Sequence, residues 1–133
     1  VPGNFDVQFK ELAKYDGLFW YRLEFSLPAQ AKELEARRHI GPVDDESWVW
    51  LNGEFLGEVT QKTHPKNYWE FPRSYTLEAG KLRPGRNVLV ILCRNLGGSG
   101  GIFGTPALNF RKRFNFYTDT PQSSDNPYQY YRW

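Results

Sequence analysis

Apolar and polar residues alternate along much of the chain, which is the pattern of half-buried β-strands. Residues 21–27 carry an apolar side chain at every second position, which predicts a strand with one face toward a core. Residues 107–117 alternate in the same way. Residues 87–95 are instead apolar at six consecutive positions, 88–93, which is typical of a central strand covered on both faces.

Turn residues divide the remaining pattern into short strands. Asn52-Gly53 separates the apolar residues 48–51 from a predicted returning strand, residues 54–60, and both turn residues tolerate positive φ. Residues 29–38 follow Pro28 without an apolar stripe, so we expect a short turn leading into a strand; residues 78–82 predict one helical turn. The sequence therefore predicts an all-β fold, a two-sheet antiparallel β-sandwich of the jelly-roll type.

The length of 133 residues suits one domain, which we place at residues 1–117. Residues 118–133 form a C-terminal tail that is first polar and then aromatic, ending in Tyr128, Tyr130, Tyr131 and Trp133. Because such a cluster is unfavourable in water, we expect the tail to dock on the body or on a neighbouring domain. Without an initiator Met or a signal peptide, the chain is predicted to be a processed or excised piece of something longer.

Charge and composition exclude several classes of protein. Lys and Arg number 17 and Asp and Glu 15, so the net charge is +2, and no nucleic-acid partner is expected. No stretch approaches the ~20 apolar residues that cross a bilayer, so no membrane association is expected either. Cys93 is the only cysteine, which excludes a disulfide scaffold.

Catalytic arrangements are not visible in the sequence. His39 and His64 lack the spacing of a zinc site, and Cys93 lies in an apolar run. The glycine-rich residues 97–104 lack the Lys and the following helix of a phosphate loop, so we expect them to be structural support. We therefore predict that the domain is not an enzyme and requires no cofactor.

Two adjacent acidic residues, Asp44 and Asp45, are candidates for a binding site. Asp44 and Asp45 would point to opposite faces of a strand, so they could not flank one sugar as a pair of glycosidase carboxylates. One of them could instead bind a cation or accept a hydrogen bond from a hydroxyl group. The alternative is a strand-entry turn in which one Asp pairs with an Arg.

Aromatic residues make up 17% of the chain and are its most informative feature. Trp48 and Trp50 share one face of a predicted strand, where they could stack on a sugar or be covered by the tail or a neighbouring domain. Residues 64–72 form a predicted loop that combines Tyr68 and Trp69 with polar neighbours. Such a loop suits carbohydrate recognition, although its aromatics could also plug the core beneath it.

An ordered series of motifs resembles the galactose-binding-like jelly roll that opens family-two glycoside hydrolases, such as β-galactosidases and β-glucuronidases. The series is Asp16-Gly17, Trp20-Tyr21-Arg22, Val43-Asp44-Asp45, Val49-Trp50-Leu51-Asn52-Gly53 and Gly57. Further motifs are similar to an accessory domain of sialate O-acetylesterases and other bacterial polysaccharide-degrading enzymes. These are Arg73-x-Tyr75, Leu82-x-x-Gly85-x-Asn87 and Gly100-Gly101-Ile102-x-Gly104.

The resemblance implies a non-catalytic domain, extracellular or periplasmic, attached to a carbohydrate-active enzyme. Its partners would be a glycan and the catalytic domain of the same polypeptide. Members of the family either bind sugar at one end of the sandwich or only pack against the catalytic domain. Several bind a structural calcium ion, whose ligands we cannot match here, so the metal site is unknown.

Residues 61–72 lack the glycine pair usual in the hydrolase domain, and the chain ends in the aromatic tail; both departures favour a carbohydrate-binding module. We expect the ligand at the mouth of the sandwich, where Trp69 stacks on the sugar ring and Asp45 and Arg73 bind hydroxyl groups. The predicted ligand-binding residues are Trp69, Tyr68, Arg73, Asp45, Asn95 and Asn67, with Trp48 and Trp50 as a secondary aromatic face.

Overall fold

A computed structural model describes residues 3–4, 8–12, 14–29, 35–103 and 107–111. The described part is almost entirely β-structure, as predicted, with one short 3-10 helix at Lys10–Leu12. The strands are β1 (Gly3–Asn4), β2 (Gly17–Leu27), β3 (Glu35–Gly41), β4 (Val43–Asp44), β5 (Glu46–Leu51), β6 (Glu54–Val59), β7 (Arg73–Leu77), β8 (Gly85–Asn95), β9 (Gly101–Ile102) and β10 (Ala107–Arg111). The predicted tail, residues 118–133, and the end of the last predicted strand lie outside the described residues.

All described strand pairs are antiparallel. One sheet has four strands in the order β2-β8-β5-β6, and a second has three in the order β10-β3-β7. A small sheet, β1-β9-β4, also has three strands. The two 11-residue strands, β2 and β8, pair along their whole length, from Gly17 opposite Asn95 to Leu27 opposite Gly85.

The hydrophobic core contains side chains from both larger sheets, which confirms the two-sheet sandwich. The four-stranded sheet contributes Phe25, Leu27, Val49, Leu51, Leu89, Ile91 and Cys93, and the three-stranded sheet contributes Ala36, Ile40 and Leu77. On β8, alternate residues from Asn87 to Asn95 are buried, and those between them are half-buried except for the exposed Arg94. The strand therefore has one core face and one partly covered outer face.

The β5–β6 hairpin turns at Asn52-Gly53, as predicted, with φ of 51° and 81°. The Asn52 side chain accepts a hydrogen bond from the Val88 N–H (2.9 Å) and donates one to Asn87 Oδ1 (3.0 Å). This turn is thus tied to the start of β8 as well as closing its own hairpin. Residues 78–82 form a turn, in which the Lys81 N–H donates to the Glu78 carbonyl at 3.2 Å.

Two glycines with nearly equal φ allow the cost of backbone strain to be measured apart from the cost of a steric clash. Gly41 (φ 91°) and Gly80 (φ 92°) both lie in the region that disfavours side chains. A Cβ at Gly41 would lie 2.4 Å from the Phe103 carbonyl oxygen, whereas a Cβ at Gly80 would meet nothing within 4 Å. We expect Gly80→Ala to lower the free energy of unfolding by about 1–2 kcal/mol. Gly41→Ala should cost roughly 1–3 kcal/mol more, since the clashing atom is backbone.

Urea unfolding of the two variants measures this difference, with the parent chain as reference. Equal losses for Gly41→Ala and Gly80→Ala would show that φ alone sets the cost, and that the backbone at Phe103 moves freely.

Candidate functional site

The predicted ligand-binding residues do not converge on one open pocket, because three of the polar ones are buried. Arg73, at the start of β7, is 1% exposed. Its Nε donates to Ser47 Oγ (2.9 Å), Nη1 to the Phe71 carbonyl (2.6 Å) and Nη2 to the Asp45 carbonyl (2.8 Å). Every guanidinium nitrogen is thus bonded within the protein. Arg73 therefore does not present its guanidinium to an open site as expected, and instead joins residues 71–73 to residues 45–47.

Asp45 and Asn95 are likewise turned inward, with 8% and 2% exposure. Asp45 Oδ2 accepts a hydrogen bond from the Leu96 N–H at 2.7 Å. Asn95 Nδ2 donates to the carbonyls of Tyr15 (3.0 Å) and Gly98 (3.3 Å). These two side chains hold the glycine-rich loop against β8, so they are corrected from ligand contacts to structural contacts. The predicted strand-entry turn at Asp45 is closer to the structure, since Arg73 bonds its main chain.

Burial shifts the pKa values around this cluster. Desolvation lowers the pKa of Arg73 to about 10, which leaves the guanidinium charged at neutral pH. Desolvation raises the pKa of the Cys93 thiol to about 12, against the opposing effect of the nearby Arg73. The thiol is therefore protonated at neutral pH and is not an activated nucleophile.

The loop at residues 60–72 is braced by its own hydrogen bonds, although it contains no strand. The Thr60 N–H donates to Thr63 Oγ1 (2.8 Å), and the His64 N–H donates to the Thr60 carbonyl (2.8 Å). Farther along, the Phe71 N–H donates to the Asn67 carbonyl (2.8 Å), and the rings of His64 and Phe71 lie 4.1 Å apart. The bond from Arg73 to the Phe71 carbonyl then fixes the end of the loop.

The tip of this loop presents an aromatic pair, which we call the Tyr68–Trp69 corner. The two ring centroids lie 5.1 Å apart with an interplanar angle of 88°, so Tyr68 packs against Trp69 edge to face. Trp69 is 44% exposed, whereas Tyr68 and Asn67 are half-buried. The structure therefore brings together three of the six predicted ligand-binding residues, on the outside of the sandwich.

A second exposed aromatic surface lies on the outer side of the four-stranded sheet. Trp50 and Trp48 lie there, as predicted, but the most exposed residues were not predicted. Trp20 is 65% exposed and Phe55 51%, and their ring centroids lie 5.9 and 5.5 Å from that of Trp50. Leu18, two residues before Trp20 on β2, is 54% exposed. We call Leu18, Trp20, Trp50 and Phe55 the aromatic face.

The outward direction of Trp20 could have been predicted from the alternation of residues along the strand. If residues 21, 23, 25 and 27 face the core, residue 20 must face outward together with the polar residues 22 and 24. Trp48 belongs beside this face, and its Nε1 donates to Glu58 Oε2 at 2.7 Å.

No group of three or more His, Cys, Asp or Glu residues in the described part of the chain is arranged to hold a metal ion. No helix in the same part of the chain is long and apolar enough to cross a membrane.

Comparison with known proteins identifies the family of this sandwich. Residues 6–99 match the family described as the beta-galactosidase second all-beta domain, and the chain belongs to that family. The fold is similar to part of a β-glucuronidase from Ruminococcus gnavus, with a TM-score of 0.57 and 23% identity over 71% of this chain and 15% of that one. It is also similar to part of a β-D-glucuronidase from Dictyoglomus thermophilum, with a TM-score of 0.54 and 20% identity over 66% of this chain and 14% of that one.

No curated protein sequence gives a significant match. The chain spans about one seventh of the solved enzymes whose fold it shares. The resemblance to the accessory β-sandwich domains of glycoside hydrolases is thus confirmed.

The internal role of Arg73 can be tested by changing it to Met, which fills similar space without donors. Arg73→Met leaves the buried carbonyls of Asp45 and Phe71 and the Ser47 hydroxyl without their partner, so we expect the free energy of unfolding to fall by about 2–4 kcal/mol. Arg86→Met is the matched control, because Arg86 is exposed and pairs with Glu24 at the surface. The control should change stability by less than about 1 kcal/mol in the same urea titration. Equal, small losses for both variants would contradict the structural role of Arg73.

Proposed function

We propose that the chain is a non-catalytic accessory domain of a glycoside hydrolase and that it binds glycan weakly at the Tyr68–Trp69 corner. The single observation that supports glycan binding is a 44% exposed indole on a braced loop. An exposed Trp loses little freedom on binding when its loop and its neighbouring ring already fix its position. Its face can then stack on the apolar face of a pyranose ring.

The groups available for hydroxyl recognition differ from those first expected. Arg73, Asp45 and Asn95 are engaged inside the protein, so the role passes to the polar neighbours of Trp69. These are the half-buried amide of Asn67 and the exposed carboxylate of Glu70. In the proposed site the indole of Trp69 stacks on the sugar ring, and the edge-to-face contact with Tyr68 fixes the orientation of the indole. Asn67 and Glu70 orient the hydroxyl groups.

A site this small implies weak binding. Dissociation constants from millimolar to tens of micromolar correspond to about 4–6 kcal/mol, to which one aromatic ring can contribute the largest share. An extracellular or periplasmic location is part of the proposal, because polymeric glycans are found there.

A second candidate function is an accessory domain that only packs against the catalytic domain. The observation that favours it is the exposed aromatic face on the opposite side of the β-sheet from the core. The two candidates use different residues and therefore can be tested separately.

The test of glycan binding is Trp69→Ala, assayed by calorimetry against a panel of neutral and uronic-acid-containing oligosaccharides. We expect affinity for whichever oligosaccharide binds the parent chain to fall by roughly thirtyfold, or about 2 kcal/mol. Stability should change by less than about 1 kcal/mol, because the ring is exposed. Phe55→Ala removes an exposed ring from the aromatic face and serves as the matched control, with affinity unchanged.

Two outcomes would overturn the proposal. One is a panel in which no oligosaccharide binds the parent chain at millimolar concentration. The other is a Trp69→Ala variant that keeps its affinity but loses several degrees in melting temperature, since Trp69 would then be a structural plug.

A further inference from the structure

The loop at residues 60–72, which carries the Tyr68–Trp69 corner, is attached to the four-stranded sheet where the loop begins. Glu46 is the first residue of β5 and is 3% exposed. Its Oε1 accepts a hydrogen bond from the Gln61 N–H at 2.9 Å. Its Oε2 lies 2.5 Å from Nη2 of Arg94, the residue opposite it on β8. One buried carboxylate therefore joins the start of the loop to two strands of the sheet.

The two partners of this carboxylate differ in what they need from it. Burial of a charge is costly, and both contacts offset that cost. Arg94 is exposed, so water can hydrate its guanidinium when the carboxylate is removed. The Gln61 N–H belongs to the main chain of the loop, and its bond to Glu46 fastens the first turn of the loop to the sheet. The hydrogen bond, more than the ion pair, therefore determines where the loop begins.

Contacts within the loop connect this attachment to the corner. In the turn at residues 60–64, the His64 N–H donates to the Thr60 carbonyl at 2.8 Å. The ring centroid of His64 lies 4.1 Å from that of Phe71. The Phe71 N–H in turn donates to the Asn67 carbonyl at 2.8 Å, which closes the turn that contains the corner. A displaced first turn would therefore withdraw the ring that packs beneath the second.

Neighbouring residues of β5 hold the two ends of the loop. Glu46 and Ser47 are adjacent on the strand, so their side chains point to opposite faces of the sheet. Ser47 accepts a hydrogen bond from Arg73 Nε, and Nη1 of the same guanidinium holds the Phe71 carbonyl at the end of the loop. An indole whose position is fixed in advance loses little freedom on binding, so both attachments favour stacking by Trp69.

We propose that Glu46 is a positioning residue for the Tyr68–Trp69 corner: it touches no ligand, and it holds the start of the loop so that the indole of Trp69 keeps one orientation. The inference rests on the proposed glycan site and adds to it a residue from a different strand. A Glu46 that served stability alone would leave the orientation of Trp69 in the folded chain unchanged, and this difference can be measured.

The experiment compares substitutions in the 133-residue chain labelled with fluorinated tryptophan, each studied well below its own melting temperature. Glu46→Leu removes the acceptor, whereas Glu46→Gln removes the charge and keeps an oxygen that reaches the Gln61 N–H. Asn87→Leu is the matched control, because Asn87 is also buried and hydrogen-bonded but lies near the opposite end of β8. The fluorine resonance of Trp69, assigned by its loss in Trp69→Phe, reports the surroundings of the indole without any ligand.

We expect the Trp69 resonance to shift by more than its linewidth, or to broaden, in Glu46→Leu. It should match the parent chain in Glu46→Gln and in Asn87→Leu, although the control is also destabilised. Should Glu46→Leu fail to fold, Glu46→Asp tests the same bond, because it keeps the charge but shortens the side chain by a methylene group. Glu46→Asp is then expected to change the Trp69 resonance in the same way.

Calorimetry uses the neutral or uronic-acid-containing oligosaccharide that binds the parent chain. We expect its affinity to fall roughly tenfold in Glu46→Leu, because the loop must then be ordered on binding. Glu46→Gln and Asn87→Leu should keep the affinity within about twofold of the parent chain.

Three results would overturn the proposal. An unchanged Trp69 resonance in Glu46→Leu and Glu46→Asp would show that the loop keeps its position without Glu46. Equal changes in Glu46→Gln and Glu46→Leu would show that the charge, and not the hydrogen bond, matters. A changed resonance in Asn87→Leu would show that any loss of stability reaches the corner. The fluorine measurement uses no sugar, so a panel in which no oligosaccharide binds contradicts the glycan site while the resonance still decides the role of Glu46.

Discussion

The buried guanidinium of Arg73 joins the two larger sheets of the sandwich by hydrogen bonds, beside the hydrophobic core that they share. Arg73 begins β7 in the three-stranded sheet, and its Nε donates to Ser47 on β5 in the four-stranded sheet. Its other nitrogens donate to the carbonyls of Asp45 and Phe71. Burial of a charge is expensive, and the lowered pKa, about 10, reflects that cost. The hydrogen bonds from a charged donor offset part of this cost, and the one to Ser47 links the two sheets directly.

This internal role determines what remains for recognition. Arg73 is 1% exposed and donates three hydrogen bonds within the fold, so its guanidinium is closed to a ligand, although it fixes the loop that ends at Phe71. Trp69 lies two residues before that point, so its position depends on Arg73 even though Arg73 touches no ligand. Recognition then falls to side chains outside the network, which explains why the proposed glycan site is small and lies on the surface.

Local patterns in the sequence predicted the strands, and contacts between distant residues decided the roles of the polar side chains. Alternation at residues 21–27 and the Asn52-Gly53 turn depend on neighbours in the chain, so both were predictable. The partners of Arg73 are separated from it by 26 and 28 residues at Ser47 and Asp45. The local sequence around an arginine that follows a loop does not determine whether its side chain points inward or outward, and only the fold shows this direction. Trp20 was predictable from alternation, but its proximity to Trp50 depends on the sheet order β2-β8-β5.

The two exposed aromatic surfaces differ in the physics of what they can bind. The Tyr68–Trp69 corner offers one indole held at 88° to its neighbour, which suits a single sugar ring and a weak, reversible contact. The aromatic face offers several tilted rings and aliphatic side chains, and stable protein interfaces bury roughly 800 Å² on each partner. The corner and the aromatic face share no residue, so the requirements of a sugar contact and of a protein contact are met by separate parts of the surface.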